Sequence, residues 1–196
     1  MKGVVLTEFV DFVDEAYPAA VAASVRERLA SLCPSGYSPV GSYAHQELIE
    51  LTEVLARAAG EPQDAVLERY GAKLFDRFAA LYPVFFVDAD GALSFLERIN
   101  TDIHDEVKKL YPDARFPAFE CSSTAPGRLE MVYSSTRPLA ALACGLIRGC
   151  IAYFGERVDL EREDVAGAAG CAARFVLTRP APRRRRSTPR RAATAS

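Results

Sequence analysis

The spacing of apolar residues changes at Pro112, and this change is the strongest constraint on the fold. Before Pro112, apolar residues recur every three or four positions, as in Leu48, Leu51 and Leu55, which is the period of an amphipathic helix. After it, short alternating runs are separated by turn-rich segments such as STAPG, a pattern typical of strands. The elements predicted after Pro112 are strands at 116–121 and 128–137, a helix at 139–154, and a closing hairpin of 157–163 with 172–178. Helices segregated from antiparallel strands predict an α+β fold, with an N-terminal helical part and a C-terminal antiparallel sheet with one intervening helix.

Charge divides the chain into two unlike parts. Residues 179–196 hold seven arginines and no acid, so the other 178 residues carry 17 of the 24 basic residues against 26 acidic ones. An acidic body argues against a specific nucleic-acid-binding domain. The tail lacks large apolar residues and cannot offset its ordering entropy by burial. We therefore predict one domain over 1–178 and a disordered Arg-rich tail over 179–196, which is either a solvated extension or an arm for phosphate or membrane surfaces.

No segment of the sequence predicts secretion or a transmembrane helix. The N-terminus has one lysine and a three-residue apolar run before its acids begin, which is too short for a signal peptide. The longest uncharged apolar stretch is roughly residues 138–147, whereas a membrane span needs about 18–20 such residues. The five cysteines are irregularly spaced and form no C-x-x-C, which favours reduced thiols. We expect a cytoplasmic protein.

Histidine is scarce, and one of the two histidines is a candidate metal ligand. With only His45 and His104 present, a multi-histidine zinc site is excluded. A helix predicted over 91–111 places His104 beside Ile103, at the edge of its apolar stripe. A neutral imidazole facing an apolar space can ligate a metal, and a lone imidazole suits haem iron, whose porphyrin supplies four ligands. The alternative is a partly buried histidine bonded to a carbonyl group. His45 is expected to be a dispensable surface residue.

A second candidate site is the VYSSTR segment, in which Tyr133, Ser135 and Arg137 alternate. On a strand these three side chains would share one face and offer several donors and one fixed positive charge. Such a set suits carboxylates or a phosphate. The alternative is the polar outer face of an ordinary strand. Because haem carries two propionates, this segment and His104 fit one ligand.

Several segments together resemble a known family. They are the opening MKGVV, SPVGSY at 38–43, FDRFAALYP at 75–83, IHDEVKKLYP at 103–112, the RFPAFE segment, the Tyr133-x-Ser135-x-Arg137 triplet and GLIRG at 145–149. Over roughly residues 1–178 the chain resembles the haem nitric oxide/oxygen-binding (H-NOX) family, which is related to the sensor domain of soluble guanylate cyclase. The resemblance implies haem b between the helical part and the sheet, with His104 as proximal iron ligand and the triplet holding the propionates. It also implies that Pro117 presses on the porphyrin, although a lone proline before a strand is otherwise a strand-start signal.

The same resemblance implies a distal side without a hydrogen-bond donor. Oxygen-binding members carry a tyrosine five residues after the motif arginine, where this chain has Leu142. The other implied distal residues are Val5, Phe9, Leu74, Phe75, Phe78 and Leu146. A hydrogen bond to bound oxygen is worth roughly 1–3 kcal/mol, and NO and CO need one less, so we expect binding of NO and CO with little oxygen affinity. The alternative is that these residues are ordinary core.

The resemblance also implies a regulatory role rather than catalysis. Stand-alone bacterial members resemble regulators of a histidine kinase or a diguanylate cyclase, so signalling in trans is expected. Of the structural zinc ligands that some members have, only Cys171 is present, with Glu163 and Ala140 at other ligand positions, and zinc is not expected. Two other functions stay open: a haem-dependent oxygen carrier or redox protein, and a haem-free module that binds a small apolar ligand through its carboxylate.

Overall fold

The helical part is built from four helices whose ends lie at the residues that the sequence indicates. In the computed structural model, which describes residues 1–165 and 170–180, the first helix ends before Tyr17, whose backbone is extended because Pro18 follows. The third helix ends at Gly60, which adopts a left-handed φ of 69°. These helices are α1 (Gly3–Ala16), α2 (Ala19–Leu32), α3 (His45–Ala59) and α4 (Gln63–Leu81), followed by a 3₁₀ turn (Pro83–Phe86).

The segment predicted as one helix over 91–111 is interrupted. It consists of α5 (Ala92–Glu97), a π-helical segment (Ile99–His104) and α6 (Asp105–Leu110). The Asp105 N–H donates to the Asn100 carbonyl, one residue further back than in an α-helix. The expectation of a continuous helix is therefore wrong, because apolar periodicity does not register a single widened turn.

The C-terminal part has the predicted order of two strands, a helix and two strands, which confirms the α+β class. The elements are β1 (Ala118–Ala125), β2 (Arg128–Ser135), α7 (Ala140–Tyr153), β3 (Asp159–Val165) and β4 (Cys171–Thr178). All pairings are antiparallel, in the order β1-β2-β4-β3, and Tyr133 lies between Phe119 and Ala173. One face of the sheet buries Met131, Tyr133 and Phe175 against α5 and α7.

The two parts are joined by close packing of α4 against α7. A Cβ atom added to Gly145 would lie 2.1 Å from the Glu68 carbonyl oxygen, and one added to Gly71 would lie 2.5 Å from the Leu142 carbonyl oxygen. The backbones of the two helices are therefore in direct contact, which only glycine permits. This contact sets the distance between the α4 and α7 side chains that face the sheet.

The first residue of the predicted tail is held by the domain. The Arg179 N–H donates to the Gly127 carbonyl (2.8 Å), and its guanidinium pairs with Glu156 at 2.8 Å. The rest of the predicted tail, residues 181–196, and most of the AGAAG turn, residues 166–169, lie outside the described residues. No helix in the described part of the chain is both long enough and apolar enough to span a membrane.

Candidate functional site

A cavity of about 710 Å³ lies between the helical part and the sheet. Its size is within the range of about 300–1,000 Å³ that is usual for small-molecule and cofactor sites. Most of its wall is apolar, and its polar lining residues include Ser42 and His45 near the start of α3, His104, and Tyr133, Ser135 and Arg137 near the end of β2. Eleven of the twelve predicted site residues line it: Val5, Leu74, Phe75, Phe78, His104, Pro117, Tyr133, Ser135, Arg137, Leu142 and Leu146.

His104 contributes an imidazole to this cavity. It is the last residue of the π-helical segment, and its ring stacks on Phe116 with centroids 4.5 Å apart and planes 15° apart. Burial lowers the pKa of His104 to about 4, opposed by a smaller effect of the Asp105 carboxylate. The imidazole makes no hydrogen bond to any other described residue. It is therefore neutral near pH 7, with a nitrogen lone pair available to a ligand.

Two contacts hold the His104 segment against the sheet. The Asn100 side-chain amide donates to the Phe119 carbonyl, and the Cys121 thiol donates to the Leu96 carbonyl at 3.7 Å. Burial raises the pKa of the Cys121 thiol to about 11, so it is protonated and able to donate. The segment that carries His104 is thus positioned by β1 as well as by its own helix.

Tyr133, Ser135 and Arg137 come together at one edge of the cavity, although not by strand alternation alone. β2 ends at Ser135, so Arg137 lies beyond the strand, contrary to the expectation that all three share it. The Arg137 N–H donates to the Ser135 hydroxyl (3.0 Å), and this turn returns the Arg137 side chain to the cavity. Burial raises the pKa of Tyr133, and the Ser135 hydroxyl and Arg137 charge oppose the shift. The edge therefore presents a phenol, a hydroxyl and a guanidinium.

The guanidinium of Arg137 has N–H donors available to a ligand. Its Nη1 donates to the Arg115 carbonyl at 3.2 Å, and a guanidinium has five N–H donors. None of the ion pairs found among the described residues involves Arg137. The fixed charge at this edge is thus available to an anion in the cavity.

Pro117 and Phe116 form the wall next to His104. Pro117 immediately precedes β1 and lines the cavity, so its position fits both a strand start and a contact with a ligand. The stacking of Phe116 on His104 could not be read from the sequence, because the two residues belong to different elements. Its only sequence signal is an aromatic residue beside Pro117.

The wall formed by α1, α4 and α7 carries only hydrocarbon side chains. Ten of them line the cavity: six of the predicted distal residues, Val5, Leu74, Phe75, Phe78, Leu142 and Leu146, together with Val4, Leu81, Ala143 and Ile147. Phe9 departs from the expectation because it does not line the cavity. Its fully buried ring packs edge-on against Tyr70, with centroids 5.1 Å apart, inside the core of the helical part. The Tyr70 hydroxyl is also directed elsewhere, since it donates to the Val5 carbonyl.

The amino terminus and His45 are part of the site, which the sequence did not indicate. Lys2 pairs with Ser42 in an antiparallel bridge, and the Met1 amine donates to the Tyr43 carbonyl at 2.7 Å. Met1, Ser42, Tyr43 and His45 all line the cavity. The expectation that His45 is a solvated surface residue is therefore wrong: it is half-buried, because the paired segments fold it onto the cavity edge.

These residues fit haem. The donor set is one neutral imidazole, a wide apolar wall and a cluster of donors and positive charge at one edge, which suits a flat apolar ligand with carboxylates. Within the described residues, no group of three or more His, Cys, Asp or Glu side chains is arranged to hold a metal ion. A single imidazole is sufficient for iron that a porphyrin already holds.

Comparisons with known proteins agree with this geometry. A model of the haem-NO-binding family matches residues 2–162. The structure of the Fe(II) unliganded H-NOX protein from K. algicida is 25% identical, with a TM-score of 0.83, covering 94% of this chain and 99% of that chain. The H-NOX protein from S. oneidensis in the Fe(II)NO state is 24% identical, with a TM-score of 0.79, covering 90% and 98%.

A third similar structure, a point mutant of T. tengcongensis H-NOX, is 20% identical, with a TM-score of 0.81, covering 93% of this chain and 100% of that chain. At this level of identity the last two structures show a shared fold. None of the curated protein sequences matches the chain significantly.

Proposed function

Because the chain belongs to the haem-NO-binding (H-NOX) family of haem-based gas-sensor domains, we propose that it is a nitric oxide sensor. In this proposal it holds haem b, binds NO and CO on ferrous iron with little affinity for oxygen, and signals in trans. The observation that carries the proposal is the neutral, unbonded imidazole of His104 at the wall of a large apolar cavity.

His104 would ligate the iron. Its half-buried ring has a pKa of about 4 and is therefore neutral near pH 7, and only the neutral imidazole has a lone pair to donate. The stacked Phe116 ring and the Asn100 bond to β1 limit the directions in which the imidazole can point. When bound, haem supplies a ferrous centre that takes up diatomic gases.

Tyr133, Ser135 and Arg137 would hold the propionates. The three side chains line the same edge of the cavity, and Arg137 has no carboxylate partner among the described residues. Charge-assisted bonds from a guanidinium and hydroxyl groups are the contacts that carboxylates form most strongly. Pro117 would contact the porphyrin from the His104 side.

The hydrocarbon wall supports the proposed gas selectivity. None of the ten side chains on α1, α4 and α7 that line the cavity can donate a hydrogen bond. Oxygen gains more from such a donor than NO or CO does, by roughly 1–3 kcal/mol for one hydrogen bond. The fully buried phenol of the helical part, Tyr70, donates to the Val5 carbonyl.

A signalling route is available through the segment that follows His104. α6 begins at the next residue, and the chain after it is tied to the N-terminus: Lys2 pairs with Asp113 at 2.8 Å and lies over the Tyr111 ring at 5.1 Å. A change in the bond at His104 would alter α6 and this contact, and a partner could read the difference. We propose a histidine kinase or a diguanylate cyclase as that partner, in the cytoplasm, where free thiols such as those of Cys144 and Cys150 stay reduced.

The test is absorption spectroscopy of haem-reconstituted wild type and His104→Ala, before and after adding NO. We expect a Soret band in the wild type that shifts with NO, and loss of haem in His104→Ala that added imidazole restores. Lys108→Ala, an exposed change on α6, is the matched control and should behave as wild type. Haem retention by His104→Ala without imidazole would contradict the proposal, and a wild type that takes up no haem would favour the haem-free module.

A further inference from the structure

Three groups that carry a positive charge or can take one up by protonation lie together at one edge of the cavity. Arg137 reaches it from the end of β2, the Met1 amine from the N-terminus and His45 from the start of α3. The pairing of residues 1–3 with residues 41–43 brings the last two there, through the bonds between Met1 and Tyr43 and from the Gly3 N–H to the Gly41 carbonyl (2.9 Å). The rest of the cavity wall is mostly hydrocarbon.

The acidic groups beside this edge already have partners. The Asp113 carboxylate accepts from Lys2 and from the Ser42 hydroxyl (2.8 Å). The Glu47 carboxylate accepts from the Tyr37 hydroxyl at 2.8 Å and from the Ala44 N–H at 3.2 Å. Among the described residues, the charges that act on His45 are those of Arg137 and the Met1 amine, and burial, the larger effect, together with these two charges lowers its pKa.

An edge of like charges is unfavourable unless an anion joins it. Arg137 and Lys2 also lower the pKa of the Met1 amine, after the larger effect of burial and with smaller opposing effects of Asp113 and Glu47, so the same repulsion acts on a second group. A ligand carboxylate at this position would reverse the effect on His45 by favouring the imidazolium. Binding of the carboxylate and uptake of a proton by His45 would then stabilise each other.

We propose that His45 is a second carboxylate-binding residue of the cavity, beside Arg137, and that it binds the carboxylate in its protonated form. The proposal rests on the proposed function, in which the carboxylates are the haem propionates. It adds a pH-dependent contact to the fixed charge of Arg137. His45 is 92 positions from Arg137 in the sequence, so only the folded chain places them at one edge.

The experiment measures the rate of haem transfer from the protein to excess apomyoglobin between pH 5.8 and pH 8, for wild type and His45→Gln. The ratio of the variant rate to the wild-type rate isolates His45, because the Met1 amine titrates equally in both proteins. We expect a ratio of roughly three to five near pH 6, because a shift of about one pKa unit in His45 gives its full tenfold effect only at pH below both pKa values. The ratio should approach one at pH 8, where His45 is neutral in both ligand states. His104 is present in both proteins, so its contribution cancels in the ratio.

Three further measurements separate charge from structure. Haem dimethyl ester, which lacks the carboxylates, should give a ratio of one at every pH. His45→Lys, with a charge that persists at pH 8, should lose haem more slowly than wild type at that pH. Gln46→Ala, an exposed neighbour in the first turn of α3, should match the wild type throughout.

The outcomes distinguish this inference from the function on which it rests. A Soret band in both proteins with a ratio of one near pH 6 would overturn the role of His45 and leave the haem proposal intact. An undiminished ratio with the dimethyl ester would also overturn it, because the effect would then not involve the carboxylates. Failure of the wild type to take up haem would overturn both.

Discussion

The contact between α4 and α7 allows a quantitative prediction at Gly145. An alanine Cβ at this position would lie 2.1 Å from the Glu68 carbonyl oxygen, about 1.3 Å closer than the 3.4 Å of ordinary contact. The opposing atom belongs to the backbone of α4, so it cannot rotate away as a side chain could. The two helices would have to separate, which loosens the packing of Leu142 and Phe75 around the cavity.

Two effects of opposite sign determine the stability of Gly145→Ala. Overpacking costs about 1–3 kcal/mol, and the rigid contact places this case near 3 kcal/mol. Alanine is favoured over glycine within a helix by about 1 kcal/mol. The free energy of unfolding should therefore fall by about 2 kcal/mol, which corresponds to a decrease in Tm of roughly 4–8 °C for a chain of this length.

The assay is thermal and urea unfolding of Gly145→Ala, followed by circular dichroism. Ala58→Gly, on the exposed face of α3, is the control for helix propensity and should be destabilised by about 1 kcal/mol. If α4 and α7 were not in backbone contact, Gly145→Ala would instead gain about the amount that Ala58→Gly loses. A Tm for Gly145→Ala equal to or above that of the wild type would refute the reasoning.

Two other predictions concern the cavity. Burial lowers the pKa of His104 to about 4 in the folded protein, below its unfolded value of about 6.5, so the unfolded state binds more protons between these values. The free energy of unfolding of the haem-free protein should fall by up to about 3 kcal/mol as pH falls through this window. In urea titrations, His104→Leu should show a weaker dependence of this free energy on pH, and an equal dependence in both proteins would contradict the prediction. Leu142→Tyr places a phenol in the hydrocarbon wall, and the reduced, haem-loaded variant should form a stable oxygen complex in air, roughly 10- to 100-fold tighter than wild type. Leu142→Phe, which adds the ring without the hydroxyl, should not, and an equal gain in both variants would show that hydrogen bonding is not the cause.

The site divides into residues that local spacing predicted and residues that it could not. His104 was recognisable because it borders an apolar stripe, and Tyr133 and Ser135 because they alternate on a strand. Arg137 was predicted to lie on the same strand, but β2 ends at Ser135. Its position depends instead on the turn in which its N–H donates to the Ser135 hydroxyl. Phe9 was assigned to the cavity, but its ring packs on Tyr70 instead, since a helical residue can face either of two neighbouring cores.

The sequence by itself determined the α+β class, the order of its elements and two groups of candidate site residues, because hydrophobic periods and residue types are local properties of the chain. Only the tertiary structure decided how those groups meet. It widened the helix turn before His104, brought α4 and α7 into backbone contact and placed His45 and the amino terminus beside Arg137. These features depend on contacts between residues far apart in sequence. Such contacts are selected by the packing of the whole chain, which local spacing does not encode.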